Sequence, residues 1–175
     1  MSKALLVIFL FLFLIFTPTI QARTTPEDIV NAKKLEYTQR LQNYSTQGKQ
    51  KLDDFEKRIA NLNKLITEDY ETQMLRQGSI LDEYIRRNQI SERQGDGISR
   101  NLSEPVENSR YWITYAHEAA AYQAAKIYIP TLSGEANINR DLTTQINILQ
   151  SDINILRNKV LKSQTILKNL VSGKK

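Results

Sequence analysis

The pair His117 and Glu118, within the stretch YWITYAHEAAAYQAAKIY at 111–128, is where the side chains could do acid–base or metal chemistry. A zinc site of the HExxH kind needs a second histidine four positions on. Histidines so spaced share one helix face and can hold the metal while the glutamate acts as base. Position 121 is alanine, His117 is the only histidine in the chain, and there is no cysteine, so zinc cannot be held by its usual ligand types. Adjacent residues on a helix point about 100° apart, which keeps His117 and Glu118 from chelating together. A serine nucleophile would have only His117 as its base, and no GxSxG elbow occurs. The carboxylate pairs Asp53/Asp54 and Asp82/Glu83 read as solvated helix faces. The GDG at 95–97 lacks the lysine and the preceding strand that a phosphate loop requires. The sequence therefore predicts no enzyme, no catalytic residue, no metal and no cofactor.

What the stretch does predict is a helix with two unlike faces. Projected at 100° per residue, Trp112, Ile113, Ala116, Ala120 and Ile127 fall on one side, where alanines allow close helix approach; this is the expected core face. Tyr111, Tyr115 and Tyr122 gather on a second side, with Glu118 and Lys126 at its edges. Such a stripe is either the covered second face of a central helix, each hydroxyl reaching water or a carbonyl, or a rigid amphipathic surface offered to a partner. His117 falls between the two faces.

The elements that would carry this helix begin after a leader. MSKALLVIFLFLFLIFTPTIQA has Lys3 near its start, an apolar run from Ala4 to Phe16, the helix breaker Pro18 and the small residue Ala22. That is the pattern of a secretory signal at 1–22, with cleavage expected between Ala22 and Arg23. The run is short of the roughly 20 residues of a comfortable membrane span, although counting on to Ile20 leaves room for an uncleaved anchor, the one route to membrane contact. The expected location is extracytoplasmic: periplasmic, cell-surface or secreted. Without cysteine, the exported chain must hold together by packing alone.

Residues 23–175 read as a single all-α domain, an elongated helical bundle or coiled coil. A first helical unit is predicted over about 27–94, with apolar or tolerated residues at Leu41, Ser45, Gly48, Leu52, Phe55, Ile59, Leu62 and Ile66. Gly48 and Gly78 each weaken it by up to about 1 kcal/mol and are its candidate breaks. RQGDGISRNLSEP ends this unit, and Ser103 is placed to cap a middle helix over 104–127. YIPTLSGE interrupts again, and a last helix is predicted over 134–171.

That last helix carries a direct heptad repeat, INILQSD at 146–152 followed by INILRNK at 153–159. Ile146, Ile153, Val160 and Leu167 take position a, and Leu142, Leu149, Leu156, Ser163 and Leu170 take position d. Branched residues at a with leucine at d suit a parallel two-stranded coiled coil. Ile148, Ile155 and Ile166 lie outside this ridge and widen it, so the helix calls for more than one neighbour: the first unit, another copy, or an apolar client.

Charge narrows the partner class. Residues 23–98 hold 13 basic and 13 acidic side chains, 99–134 hold 3 and 3, and 135–175 hold 7 and 3, so the net positive charge of the mature chain lies in its last segment. A solvated face accounts for it, and an acidic client would be drawn to it. No compact basic cluster interleaved with aromatics is present, which excludes nucleic acid as the expected partner. Asn43 (NYS) and Asn101 (NLS) match the glycosylation sequon. A signal sequence, a basic mature chain of this size, no cysteine and long helices together resemble the Skp-type periplasmic holdase chaperones. The resemblance is one of composition, covers no motif, and lacks any alternating pattern for the small body of strands through which those proteins assemble. The expected function is an exported scaffold or adaptor that binds protein, itself or another exported chain, through the heptad ridge. The alternatives are a Skp-like holdase and an amphipathic membrane-active protein.

Overall fold

A computed structural model of the chain describes residues 25–90 and 100–173. Every regular element among them is helical: α1 (Pro26–Leu41), α2 (Thr46–Arg87), α3 (Arg100–Ala124) and α4 (Ile138–Val171), with a single 3-10 turn at Glu135–Asn137. No strand occurs among the described residues. The expected cleavage site at Ala22 and Arg23 and the glycines at 95 and 97 lie outside them. The chain divides into two units at Leu35 and Glu36.

In the first unit, Pro26 occupies the opening position of α1, where its missing N–H costs nothing. The Asp28 backbone N–H donates to Thr25 Oγ1 (3.2 Å), and the Thr25 N–H and hydroxyl both donate to the Asp28 carboxylate. This reciprocal cap satisfies amide groups that no helical carbonyl reaches. It also holds the Asp28 carboxyl below its ordinary range.

The second unit starts within α1 and turns just ahead of Gly48, one of the two expected breaks. The single pattern expected over 27–94 is two helices, broken at 42–45 and ended at Arg87. Ser45 caps α2, its hydroxyl accepting from the Gly48 N–H (3.1 Å). Glu135 accepts from the Ser45 N–H (2.9 Å) and from its hydroxyl, and these contacts hold the Glu135 carboxyl below its usual range. A methyl group at Gly48 would lie 2.6 Å from Glu135 Oε1, so the glycine makes room for that carboxylate rather than breaking the helix. Gly78 lies inside α2 without a break. The far end closes by a Schellman motif: Ile90 N–H donates to Ile85 O and Gln89 N–H to Arg86 O, with Gln89 at φ 51° in the left-handed position that usually falls to glycine. Ile90 then packs back among Leu81 and Ile85. The helix therefore stops at Arg87, short of the expected end near 94.

Buried residues of α2, α3 and α4 meet in a series of apolar clusters. Phe55 and Ile59 of α2 pack with Leu149 of α4, Met74 with Leu156 and Val160, and Leu81 with Leu167, so α2 and α4 run parallel. Along α3 the order reverses: Val106 and Ile113 meet Leu81 and Leu167, while Ala116 and Ala120 meet Met74 and Leu156. At 1.5 Å per residue α2 is about 63 Å long, α4 about 51 Å and α3 only about 38 Å. The extended segment 125–134 covers the length that α3 leaves, sinking Tyr128, Pro130 and Leu132 toward the two longer helices. It is pinned at Leu132, whose carbonyl accepts from Arg40 (2.6 Å), and at Ser133, whose N–H donates to the buried Asp141 carboxylate (2.7 Å).

Two expected boundaries shift. α3 is already helical at Arg100, so Ser103 is an internal helical residue and not a cap, and Pro105 sits inside the helix. α3 also ends at Ala124, before 127. Pro130 restricts Ile129 to extended backbone, and the chain leaves the helix early enough to send Tyr128 inward.

Candidate functional site

The heptad ridge of α4 finds most of its mates inside the chain. Leu149, Leu156, Val160 and Leu167 are at most 4 % exposed, Leu142, Ile153 and Leu170 are half-buried, and Ile146 is 47 % exposed. Ser163, which replaces leucine at a d position, is fully buried and donates its hydroxyl to Gln77 Oε1 (2.9 Å). The two flanks of α4 are thereby separated. One flank, Ile153 with Arg157, borders α2; the other, Ile155 with Lys159, borders α3.

On α3, Ile113, Ala116 and Ala120 are buried in the core, and Trp112 is half-buried. Ile127 is a correction to the expected core face: it lies past the end of the helix and is 59 % exposed. A helical projection carried three residues too far assigns its side chain to the wrong side. Tyr128, next in sequence, is buried instead.

Tyr111, Tyr115 and Tyr122 are exposed, at 60 %, 37 % and 72 %. The stripe is therefore not the covered second face of a central helix. Tyr111 stacks on Tyr115 with ring centroids 6.0 Å apart and planes 4° from parallel, and Trp112 meets both rings edge to face. Lys159 Nζ lies 4.4 Å from the centre of the Tyr115 ring, Lys162 5.7 Å from Trp112, and Lys126 5.5 Å from Tyr122. Each ammonium thus sits over the negative face of a ring. The strip borders a groove of about 280 Å³ between α3 and α4, walled by Tyr115, Ala119, Tyr122, Ile155 and Lys159. Sequence reading of the middle helix alone missed the two lysines. Their signal was present, since Ile155, Lys159, Lys162 and Ile166 recur at helical spacing on one side of α4.

Beneath the groove runs a buried polar belt that the sequence does not announce. Asn63 and Gln123, both 3 % exposed, exchange two hydrogen bonds: Asn63 Nδ2 to Gln123 O (3.0 Å) and Gln123 Nε2 to Asn63 Oδ1 (2.9 Å). The Gln123 amide also donates to the Tyr128 hydroxyl, which donates to Asp152 Oδ2 (2.9 Å), where Lys126 Nζ also arrives (2.9 Å). The belt ties α2, α3, the extended segment and α4 together. Burial, aided by the Asp152 carboxylate, pushes the Tyr128 hydroxyl up to about 12 against the opposing Gln123 contact. A phenol whose folded pKa exceeds its unfolded value of about 10 stabilises the fold fully below pH 10, and that contribution is lost as pH rises toward 12. Urea midpoints measured at stepped pH should fall across that window, and less steeply in Tyr128→Phe.

His117 is half-buried on the side of α3 nearer α2, with Nε2 3.7 Å from Glu71 Oε1, beyond hydrogen-bond length. Glu118 is exposed at the groove edge. Among the described residues no group of three His, Asp or Glu side chains is arranged to hold a metal ion, and no helix is long and apolar enough to cross a membrane. Asn43 is exposed in the turn before α2. Comparison with protein-family models, with curated proteins and with solved structures finds no match in any of the three.

Proposed function

We propose that this chain is an exported, non-enzymatic helical adaptor, an elongated three-helix bundle with a coiled-coil seam along α4, that works by binding another protein on the tyrosine–lysine strip of α3 and α4. The observation that carries the reading is the exposure of three tyrosines in one continuous strip, two of them stacked, beside a groove. Tyrosines present large rigid area at low entropic cost and concentrate at protein interfaces. Lys159 and Lys162 border the strip, which favours a partner that sets carboxylates around an apolar centre. Export rests on the leader at 1–22. The heptad ridge acts as the internal support that presents this surface, and the binding work expected of the ridge moves to its flank.

The test is site-specific photocrosslinking in the source cell. A photoreactive residue at Tyr122 should yield one discrete adduct with a protein, lost when Tyr111→Ala and Tyr115→Ala are added. The same residue at Ser79, exposed on α2, should not. No adduct at Tyr122 above the level at Ser79 would overturn the reading.

A further inference from the structure

The opposite flank of α4 carries a second surface of different character. Leu62 and Leu65 of α2 are 48 % and 55 % exposed, Ile146 and Leu161 of α4 are 47 % and 45 %, and Ile66 and Ile153 are half-buried between them. Leu65, Ile66 and Ile153 line a groove of about 410 Å³ between α2 and α4, and Leu62, Ile146 and Leu161 stand at helical spacing from its walls. Large apolar side chains grouped on both lips of one groove mark an interaction surface, where the same residues scattered singly would not. The groove has one charge on each lip, Asp69 on α2 and Arg157 on α4, both exposed.

We propose that this groove is the contact between two copies of the chain, related by a two-fold axis running along the helices. The occupant follows from charge and direction. The helices α2 and α4 are parallel: Phe55 and Ile59 cluster with Leu149, Met74 with Leu156 and Val160, and Leu81 with Leu167, in the same order along both. Both charged residues line one groove whose walls span 65–70 and 153–157, which sets them within about one or two helical turns of each other in height. A two-fold axis along the groove sets α2 of each copy beside α4 of the other, in parallel and at the same height. Asp69 of each copy then meets Arg157 of the other, twice over, as an isologous interface demands. A uniformly acidic or uniformly basic partner would meet a lip of its own sign. Ile146, exposed, and Ile153, half-buried, are the a positions that the chain's own core covers least, and they supply the branched apolar centre that parallel pairing favours. The tyrosine–lysine strip lies on the other flank of α4, so a dimer would display two such strips and engage a repeated partner bivalently.

The test is the solution mass of the full chain by sedimentation equilibrium at tens of micromolar, with far-ultraviolet circular dichroism as the control for folding. The parent chain should have twice the monomer mass. Asp69→Arg and Arg157→Asp, each placed on an exposed position, should each halve the mass with helicity unchanged, because each sets like charges face to face. Combining Asp69→Arg with Arg157→Asp should restore the doubled mass. A monomeric parent chain, single variants that remain dimeric, a higher oligomer, or a combined variant that stays monomeric would each overturn the proposal. Because the tyrosine strip plays no part in this contact, any of these results leaves the photocrosslinking experiment at Tyr122 to be judged separately.

Discussion

Replacing Leu156 by alanine is expected to cost about 2–5 kcal/mol of folding stability, the usual range for a leucine removed from a packed core. Leu156 is 2 % exposed and touches Met74 of α2, Ala116 and Ala120 of α3 and Val160 of its own helix. Two of those neighbours are alanines, which have no side chain to swing into the space, so the cavity stays open and the loss should fall in the upper half of the range. The urea midpoint followed by helical ellipticity would report it. Ile155, one position earlier and 56 % exposed, provides the contrast: Ile155→Ala should change stability by no more than about 0.5 kcal/mol, as surface substitutions do. Comparable losses at the two positions would mean that α4 does not present the face described.

The second large effect lies in the polar belt. Gln123→Ala removes the donor to the buried Asn63 Oδ1, while Asn63 Nδ2 keeps the Gln123 backbone carbonyl, and leaves the Tyr128 hydroxyl with Asp152 alone, for an expected loss of about 1–3 kcal/mol. Substituting both members of the pair, Asn63→Leu together with Gln123→Leu, should be far milder than the sum of the single changes, because no unpartnered amide then remains buried between α2 and α3. A double-mutant cycle with the four chains should therefore give a coupling of about 0.5–3 kcal/mol. Additive losses would show that the two amides do not meet.

The belt also marks where sequence reading stops. The heptad arithmetic of α4 locates Leu149, Leu156, Val160 and Leu167 because a repeated apolar period survives into the packed helix. The same reading of α2 carries the apolar line from Ile59 through Leu62, whereas the buried line passes through Asn63 and Thr67. A buried asparagine is stable only opposite Gln123, a residue 60 positions away, and no local period records such a partner. The turn at 42–45 was legible only to within a few residues, for a related reason. Gly48 invites a break, yet the chain turns ahead of it, where Ser45 and the distant Glu135 together cap α2. The end of α2 was hidden because Gln89 stands where glycine usually signals a stop. The tyrosines of α3 were legible as a stripe. Whether they were covered depended on α4 placing its lysines at their edge instead of a further helix over their faces.

The central claim is that most of the ridge of α4 is satisfied within the chain and its flank carries the tyrosine strip outward. Limited nitration of tyrosines in the native chain, read residue by residue by mass spectrometry, tests it most directly. The account predicts rapid modification of Tyr111 and Tyr122, with Tyr44 and Tyr128, each 7 % exposed, protected until urea unfolds the helices. Tyr128 modified as fast as Tyr122 under conditions that keep the chain helical would contradict it.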